Sequence, residues 1–508
     1  MSSFILAHDI GTSGNKASLF DAEGKLLSSG VYGYETEYPR RGWAEQNPGD
    51  WWNAFCLATR KALEGKDKNE VAAVCVSGQM MGCLPLSKDG EPLAESIIWS
   101  DARAEAEAGY LSEKLGREDF YRITGQPFCP NYTLPKILWF RKHYPGLFKR
   151  TDCFIQAKDY INYRLTGEKA TDPTDASYTA AYDINKMSWS EKILDAVRLS
   201  SAVFPKVHAC GTVIGTVTKR AAEECGLAAG TPVFMGAGDG SAAHLGGGSI
   251  SPGDAYICLG SSSWVMSTTE SLIWDPQKRM QTELHVIDGK YAYLGTMQTG
   301  GAAYSWSGNA LSGGRLSYPE IDALAALSVP GANGTLFLPH LMGERSPWPD
   351  PGANAAFLGL RQDTAPPQLY RAVMEGVAFN LDIILKIIRK SVCVKEIAVI
   401  GGGAKSRIWR QIFADVTGMP ILLPEHAEER TGIGAAIIAG VGCGLYPDYS
   451  AARKFLHIKE ITEPRKDYSE LYRELEAVFE DAYRALSDVN HRISGLSKAS
   501  EASRAGII

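Results

Sequence analysis

The stretch DAYICLGSSSWVMS at residues 254–267 decides the fold of this chain. Its pattern predicts a buried strand, a turn made of one glycine and three serines, and a second strand. The same pattern occurs near the start of the chain, where FILA at 4–7 precedes a polar turn and ASLF at 17–20 follows it. Two such hairpins indicate a degenerate internal repeat. We therefore expect two related α/β domains that face each other across a cleft.

The turn of the first hairpin, DIGTSGNK at 9–16, carries groups that suit a polyphosphate. Its backbone N–H groups and hydroxyls can donate hydrogen bonds, and Lys16 supplies positive charge. Asp9 can hold Mg²⁺ directly or through water. The Walker A pattern G-x-x-x-x-G-K-[ST] is absent. An ordinary glycine-rich turn is the alternative.

Between the two hairpins lies PVFMGAGDGS at 232–241, which predicts a short buried strand that delivers one carboxylate. The glycines around Asp239 allow the backbone to approach a ligand closely. A lone carboxylate in such a turn can act as a general base. The alternative is that Asp239 caps a following helix.

Two further strands are predicted at 71–77 and 96–99, and both end in polar and aromatic residues. Open α/β sheets place their ligands at such strand ends. Trp99 as a wall and Asp101 as a bidentate hydroxyl acceptor would suit a sugar. The alternative is that Trp99 belongs to the core and Asp101 forms a local ion pair with Arg103.

The second half of the chain contains a third glycine-rich turn. A strand at 396–400 leads into GGGAKS at 401–406 and then into a helix. Flat backbone of this kind can lie against a nucleobase and ribose. A small-residue helix at 435–439 is expected to pack closely under that site.

Composition narrows the class of protein. The 508 residues are 45% hydrophobic and 22% charged, which is typical of a globular chain of two or three domains. A net charge of −6 argues against a nucleic-acid partner. The small-apolar run from Gly432 to Gly444 is too short for a membrane span, and the N-terminus lacks the basic region of a signal peptide. Ten scattered cysteines and nine histidines without metal spacing predict a reduced, cytoplasmic protein with no zinc site.

Eight motifs, taken together, resemble the FGGY carbohydrate kinases in family order over essentially the whole chain, and most of all their xylulose kinase branch. They are DIGTSGNK at 9–16, GWAEQNPGDWW at 42–52, SGQM at 77–80, IIWSDAR at 97–103, GAGDG at 236–240, LGSSS at 259–263, FLPHLMGERSP at 337–347 and GGGAKSRIWRQIFADVTGMP at 401–420. The resemblance implies an actin-like, ribonuclease-H-like fold. It implies a sugar-binding domain at 1–245, a nucleotide-binding domain at 246–494 and a flexible tail at 495–508.

The resemblance also implies roles for individual residues. Asp239 matches the catalytic base and Asp9 lies near the metal. Nucleotide-binding positions are Gly11, Thr12, Ser13, Lys16, Gly260, Ser261, Ser262, Trp306, Gly402, Gly403 and Ser406. Sugar-binding positions are Gln79, Met80, Met81, Trp99, Asp101, Asp239 and Gly240.

The expected reaction is transfer of the γ-phosphoryl group of MgATP to a hydroxyl of a ketose, D-xylulose giving D-xylulose 5-phosphate. Met81 and Gly240 depart from the xylulose kinase pattern, which has His and Asn there. This leaves open another pentulose, gluconate or a tetritol as substrate. A dinucleotide-binding oxidoreductase and a non-catalytic ATP-switched protein are the alternatives from other classes. The expected partners are ATP and a small sugar or polyol, without nucleic acid or membrane, and a homodimer is left open.

Overall fold

The structure is a computed structural model that describes residues 4–505, with side chains up to residue 496. The chain forms two compact units. Unit 1 contains the residues up to Ile250 together with Glu270–Ala292 and Glu429–Leu456. Unit 2 contains Ser251–Thr269, Tyr293–Glu428 and the residues from His457 onward. Each unit is therefore discontinuous in sequence.

The strands in chain order are β1 (Phe4–Ile10), β2 (Gly14–Phe20), β3 (Leu26–Gly33), β4 (Glu45–Gln46), β5 (Val71–Gly78), β6 (Leu84–Leu86), β7 (Ser96–Ile97), β8 (Cys153–Ile155), β9 (Ala170–Thr171), β10 (Tyr182–Asp183), β11 (Ser188–Trp189), β12 (Lys206–Val207), β13 (Val213–Thr216), β14 (Pro232–Phe234), β15 (Ala255–Leu259), β16 (Ser263–Thr269), β17 (Gln281–Leu284), β18 (Tyr291–Met297), β19 (Leu336–Leu338), β20 (Ala356–Leu358), β21 (Ile397–Ile400), β22 (Ile421–Pro424) and β23 (Ile458–Thr462).

The α-helices in chain order are α1 (Pro48–Ala62), α2 (Glu105–Leu115), α3 (Arg117–Thr124), α4 (Thr133–His143), α5 (Pro145–Arg150), α6 (Ala157–Thr166), α7 (Pro173–Ser177), α8 (Glu191–Val197), α9 (Lys219–Cys225), α10 (Asp239–Gly246), α11 (Gly301–Ser312), α12 (Tyr318–Ala326), α13 (Pro366–Arg389), α14 (Arg407–Thr417), α15 (Arg430–Gly442), α16 (Ala451–Lys454) and α17 (Ser469–Ala505). Of the expected tail at 495–508, α17 includes the backbone as far as Ala505, and residues 506–508 lie outside the described residues.

The central sheet of unit 1 has the strand order β13-β14-β5-β1-β2-β3. β1 and β2 form the predicted antiparallel hairpin, and β1 also pairs in parallel with β5, which pairs in parallel with β14. Side chains alternate along each strand, so the sheet buries both faces. On one face, Leu6 and Val74 pack with Trp51 of α1; on the other, Ile5 and Ala73 pack with the alanines of α15.

Unit 2 repeats this arrangement. Its strands lie in the order β18-β16-β15-β21-β22-β23. The hairpin β15–β16 is antiparallel, β15 pairs in parallel with β21, and β21 pairs in parallel with β22. In each unit, therefore, a hairpin is followed by two parallel strands beside its first strand. The predicted internal repeat and two-domain α/β fold are confirmed.

The small-residue helix expected under the third glycine-rich turn packs into the core of unit 1. The small-residue helix at 435–439 lies within α15, and its alanines belong to a core cluster of unit 1 with Ile5, Ala7 and Ala242. Packing of this helix under the glycine-rich turn at 401–406, which belongs to unit 2, stays a prediction. Small residues in α15 serve its close approach to α10 and to the sheet of unit 1.

Candidate active site

The parallel strands of unit 1 bring three predicted segments to one edge of the sheet. In the ladder between β1 and β5, Asp9 lies opposite Ser77. A parallel bridge joins Gly78, at the end of β5, to Gly238 beyond β14. The residues that follow these strands therefore meet at the carboxyl edge of the sheet, where α/β proteins bind ligands.

Asp239 is the first residue of α10, and Gly238 is the N-cap. The turn before Asp239 is held by two side chains: the Ser77 hydroxyl donates to the Ala237 carbonyl at 2.9 Å, and the Gly238 N–H donates to Thr174 Oγ1 at 3.0 Å. Burial raises the pKa of Asp239 to about 6, although the Gly240 N–H, which donates to Oδ1 at 2.7 Å, favours the charged form. Such a carboxylate is suited to accept a proton near neutral pH.

Asp9 lies at the mouth of the first hairpin, opposite Lys16 in the β1–β2 register. Burial, with smaller contributions from the negative charges of Asp239 and Glu429, raises the pKa of Asp9 to about 7, whereas Lys16 opposes the shift. Asp9 Oδ1 is buried and has no hydrogen-bond partner in the part of the chain that the structure describes. A half-buried carboxylate in this acidic setting fits a position near a divalent cation.

Glu429, which sequence reasoning missed, completes this cluster. Its Oε1 lies 3.1 Å from Lys16 Nζ, and its Oε2 accepts a hydrogen bond from Ser18 Oγ at 3.4 Å. Glu429 is also the N-cap residue of α15. No sequence signal could have found this contact, because the two residues of the ion pair are 413 positions apart.

The first hairpin turn is fixed by the surrounding side chains. The Gly11 carbonyl accepts a hydrogen bond from the Tyr34 hydroxyl. Thr12 accepts at its carbonyl from Gln46 Nε2 at 2.6 Å and at its hydroxyl from Trp99 Nε1 at 2.8 Å. Ser13, at the tip, is exposed. The turn is thus rigid below and open at the tip, which suits a phosphate-binding role.

The predicted sugar residues after β5 lie close together. Gln79 is buried, and its Nε2 donates to Gln46 Oε1 at 2.7 Å, which links it to the hairpin turn. Met80 packs so closely on Gly238 that a Cβ added there would lie 2.5 Å from its Cε. Met81 is half-buried and has a φ of 64°. The structure therefore places this segment directly beside the turn that carries the predicted base.

The predicted sugar residues after β7 divide into two kinds. Trp99 is half-buried and contacts the first hairpin through Thr12. Asp101 is fully buried, and the alternative ion pair is present: Arg103 Nη2 donates to its Oδ2 at 2.7 Å. The Ala44 N–H also donates to Oδ2, at 2.6 Å. Asp101 therefore has a structural set of partners, and direct contact with a sugar stays a prediction.

Gly240 leaves space beside the base. A Cβ added to it would meet no described heavy atom within 4 Å. A second buried carboxylate, Glu283, lies near this turn; its Oε1 accepts from Ser241 Oγ at 3.4 Å, and burial raises its pKa to about 7. Sequence reasoning missed Glu283, which comes from β17, and no motif marked it.

In unit 2 the second hairpin meets a glycine pair that sequence reasoning missed. The Gly301 N–H donates to the Gly260 carbonyl at 2.7 Å, and the Gly300 N–H donates to the Ser261 carbonyl at 3.0 Å. Thr299 Oγ1 beside them is buried without a hydrogen-bond partner among the described residues. The two adjacent glycines in MQTGG at 297–301 were the available signal. The predicted phosphate residues Gly260, Ser261 and Ser262 all lie in this turn.

The third glycine-rich turn lies beside this hairpin, because Cys258 of β15 pairs with Ile400 of β21. A Cβ on Gly403 would lie 2.8 Å from Leu259 Cβ, whereas one on Gly402 would meet no described heavy atom within 4 Å. The Gly402 side of the turn is thus open to a flat ligand. Ser406 caps α14 by accepting from the Trp409 N–H at 3.2 Å.

Trp306, the remaining predicted nucleotide residue, lies on α11. It is half-buried and stacks on Phe337 with ring centroids 5.6 Å apart and an interplanar angle of 16°. This stack gives Trp306 a packing role in unit 2, and contact with a nucleotide stays a prediction.

The described residues hold neither a metal cluster built from protein side chains alone nor a membrane-spanning helix. They contain no group of three or more His, Cys, Asp or Glu side chains that could hold a metal ion by themselves. None of their helices is long and apolar enough to cross a membrane.

The repeated α/β sheets and the carboxylate at a helix N-terminus are those expected of an ATP-dependent sugar phosphotransferase with an actin-like fold. Residues 4–246 match the sequence model for the N-terminal domain of the FGGY family of carbohydrate kinases, and residues 255–443 match that for its C-terminal domain. The chain belongs to the FGGY family of carbohydrate kinases.

Three curated relatives illustrate the similarity. Xylulose kinase of Escherichia coli (strain K12) is 30% identical over 434 residues, which are 85% of this chain and 89% of that protein. Xylulose kinase of Lactococcus lactis subsp. lactis is 30% identical over 498 residues, 96% of this chain and 98% of that protein. Gluconokinase of Bacillus licheniformis is 26% identical over 514 residues, 98% of this chain and 99% of that protein.

Two solved structures are similar over almost the whole chain. Ligand-bound xylulose kinase and gluconate kinase, both from Lactobacillus acidophilus, each have a TM-score of 0.91 and 26% identity. Each match covers 97% of this chain and 100% of the other chain. The predicted fold and family are confirmed.

Proposed function

We propose that this kinase transfers the γ-phosphoryl group of ATP to a hydroxyl of D-xylulose and so forms D-xylulose 5-phosphate. The observation that carries the proposal is the position of Asp239, a carboxylate of raised pKa at the N-terminus of α10, where the ends of three parallel strands meet. The 30% identity to two xylulose kinases supports the choice of sugar.

In the proposed reaction Asp239 accepts the proton of the attacking hydroxyl, which bonds to the γ-phosphorus as the bond to the β–γ bridging oxygen breaks. Lys16 and the donors of the turn at Gly11, Thr12 and Ser13 neutralise charge on the transferred group. In phosphoryl transfer such positioning and electrostatic stabilisation supply most of the catalysis.

We place Mg²⁺ near Asp9, because its buried Oδ1 has no described partner and its neighbours are acidic. Mg²⁺ binds to proteins through one or two carboxylates and to substrate phosphates, and it keeps several waters. When bound, the ion would screen the charge of the polyphosphate. A site of this kind needs no cluster of three protein ligands, and none was found among the described residues.

The remaining site residues divide between the two ligands. We assign the sugar to the domain at 1–245 through Gln79, Met80, Met81, Trp99, Asp101 and Gly240. We assign the nucleotide to the domain at 246–494 through Gly260, Ser261, Ser262, Trp306, Gly402, Gly403 and Ser406. A cytoplasmic location is part of the proposal, and a homodimer stays a prediction.

Gluconate is the second candidate substrate. The gluconate kinase of Lactobacillus acidophilus matches this structure with the same TM-score as the xylulose kinase from that organism. The open space at Gly240 could hold substrate atoms that a side chain would exclude. A buried pocket group left unpaired costs about 1–3 kcal/mol, enough to decide between hydroxyl patterns.

The test is ADP production with MgATP across ketopentoses, ketohexoses, aldonates and polyols. We expect the highest kcat/KM with D-xylulose. Turnover of gluconate without turnover of D-xylulose would move the assignment to the second candidate. An absence of ADP release with every acceptor would contradict the proposed reaction.

A further inference from the structure

The segment 131–136, which includes the first turn of α4, is bonded to the residues that follow β5 and β7. These residues include predicted sugar-binding positions. Three side chains of the segment donate hydrogen bonds to five backbone carbonyls. Asn131 Nδ2 donates to the carbonyls of Trp99 at 2.8 Å and Asp101 at 3.2 Å. Thr133 Oγ1 donates to the Gly82 carbonyl at 3.0 Å. Lys136 Nζ completes the set, with bonds to the carbonyls of Met81 at 2.9 Å and Ile98 at 2.8 Å.

Lys136 is the most unusual member of this segment. Its side chain is fully buried, and burial lowers its pKa to about 8. A buried ammonium group normally has a carboxylate as its partner. The carboxylate of Asp101 stabilises the charge of Lys136 from nearby but bonds to Arg103 instead. Among the described residues, both hydrogen bonds of Lys136 go to backbone carbonyls. The position of this ammonium group is therefore matched to two strand ends.

Met81, one of the two residues bonded to Lys136, has an uncommon backbone conformation. Its φ of 64° lies in the left-handed region, where residues other than glycine are strained. Such a conformation persists only when surrounding contacts impose it. The bond from Lys136 to the Met81 carbonyl is a contact of that kind, and it acts at the end of β5.

We propose that Asn131, Thr133 and Lys136 hold residues 81–82 and 98–101 in the geometry that binds the sugar. We call these three residues the acceptor clamp, because the sugar is the acceptor of the phosphoryl group. Lys136 is its principal positioning residue. The inference rests on the proposed function for the identity of the ligand. The clamp itself does not depend on the proposed function, because its hydrogen bonds are present in the chain without sugar. Lys136 touches neither substrate nor nucleotide in this proposal.

The test compares Lys136→Met, which keeps the length of the side chain but removes the donors, with Lys142→Met on the same helix. The ammonium group of Lys142 is largely exposed and pairs with Glu107 of α2, away from residues 81–82 and 98–101. We expect hydrogen–deuterium exchange of sugar-free Lys136→Met to accelerate at least tenfold in peptides covering 79–83 and 97–103. In Lys136→Met we expect the KM for D-xylulose to rise tenfold or more, while the KM for MgATP changes less than twofold. Lys142→Met should change none of these values.

A second substitution tests the link to Met81. Glycine adopts a φ of 64° without strain, so Met81→Gly added to Lys136→Met should recover a large part of the slow exchange in peptides covering 79–83. If Lys136→Met does not fold, Thr133→Val, which removes one bond, should still accelerate exchange at 81–83.

Two outcomes overturn separate claims. Unchanged exchange at 79–83 and 97–103 in a folded Lys136→Met variant would overturn the clamp. Failure of the wild-type protein to phosphorylate D-xylulose would overturn the choice of sugar, while the exchange experiment would still decide on the clamp.

Discussion

Asp239 owes its reactivity to its position at the start of α10, where burial disfavours its charge. Substituting it with asparagine keeps the shape of the side chain but removes the base. We expect Asp239→Asn to bind D-xylulose and to lose about 10²–10⁴-fold in kcat, the usual worth of a general base. Steady-state kinetics and calorimetric sugar binding measure the two effects.

The same substitution, which should lower kcat, should raise the stability of the folded protein. The pKa of Asp239 is about 6 in the folded chain and 3.8 as its ordinary value, so folding is penalised fully above pH 6 and not below pH 3.8. Asp239→Asn should therefore raise the free energy of unfolding at pH 8 by up to roughly 3 kcal/mol and change little near pH 4. Asp195→Asn, at an exposed position on α8, is the control and should alter neither rate nor stability. A variant that is inactive and also unstable would show that the rate loss came from misfolding.

The pKa of Asp239 also predicts the pH dependence of the rate. Only the ionised carboxylate accepts a proton, and its fraction falls tenfold per pH unit below the pKa. We expect kcat/KM for the sugar to be level above about pH 7 and to fall with unit slope below about pH 6. Stopped assays between pH 4.5 and 8.5 would measure it, with MgATP saturating. A level profile down to pH 5 would contradict the role of Asp239 as the base.

Residues within local motifs could be predicted from the sequence, whereas their distant partners could not. Asp9 and Lys16 flank the glycine-containing turn of the first hairpin, and Asp239 directly follows a glycine-rich turn. Their placement follows from backbone chemistry over a few residues. The buried Glu283 and the half-buried Glu429 lie near them only because the tertiary fold returns distant segments to unit 1. For Asp101 the sequence left two possibilities open: the local ion pair with Arg103 is present, together with a bond from a backbone N–H, and contact with a sugar stays a prediction.

At the scale of elements, α10 and α15 approach so closely that only glycine fits at two positions. A Cβ on Gly434 would lie 1.9 Å from the Ala242 carbonyl oxygen, and a Cβ on Gly246 would lie 1.9 Å from the Arg430 carbonyl oxygen. Both clashes involve backbone, which cannot move aside without displacing a helix. Because α10 begins at Asp239, this contact positions the base.

Gly434→Ala should therefore destabilise the protein and reduce its activity. Overpacking costs about 1–3 kcal/mol, and a displacement of the base by 1 Å costs up to about 10²-fold in kcat. Thermal unfolding and steady-state kinetics measure the two effects. The matched control is Gly109→Ala on α2, where a Cβ meets no described heavy atom within 4 Å and the better helix propensity should raise stability slightly. Equal behaviour of the two variants would contradict the close contact.

Elements with local signals were predictable for the same physical reason. The helix α1 carries two local start signals: Asn47 caps it by accepting from the Gly49 N–H at 2.7 Å, and Pro48 lies in its first turn. Both hairpins follow from alternating strands around short polar turns. The position of α15 was not predictable, because its small residues indicate close packing but carry no information about the partner. That partner, α10, is almost 200 residues away in sequence.

At the scale of the whole molecule, the two units share one strand order but carry different loops at the carboxyl ends of their strands. Unit 1 presents Gln79, Met81 and Asp239 there, whereas unit 2 presents hydroxyl groups and the open turn at Gly402. Hydrogen-bonding and acidic side chains suit a polyol, and bare backbone suits a flat nucleobase. The repeat thus supports the proposed division of ligands between the domains.

This division predicts which amides each ligand protects from hydrogen–deuterium exchange. D-Xylulose alone should slow exchange mainly in peptides covering 77–83, 97–103 and 236–242. ADP, which lacks the transferred phosphoryl group, should slow it mainly at 259–263 and 401–406. A free ligand concentration of 100 times Kd stabilises the folded protein by about 2.7 kcal/mol. Amides that exchange only after the ligand has dissociated should therefore exchange about 100-fold more slowly. Asp239→Asn, which should still bind both ligands, allows the same measurement with ATP and sugar together and without turnover. If ADP protected only amides of unit 1, or the sugar only amides of unit 2, the assignment of the two ligands to the two domains would be wrong. The different loops on the shared strand order would then not explain which ligand each unit binds.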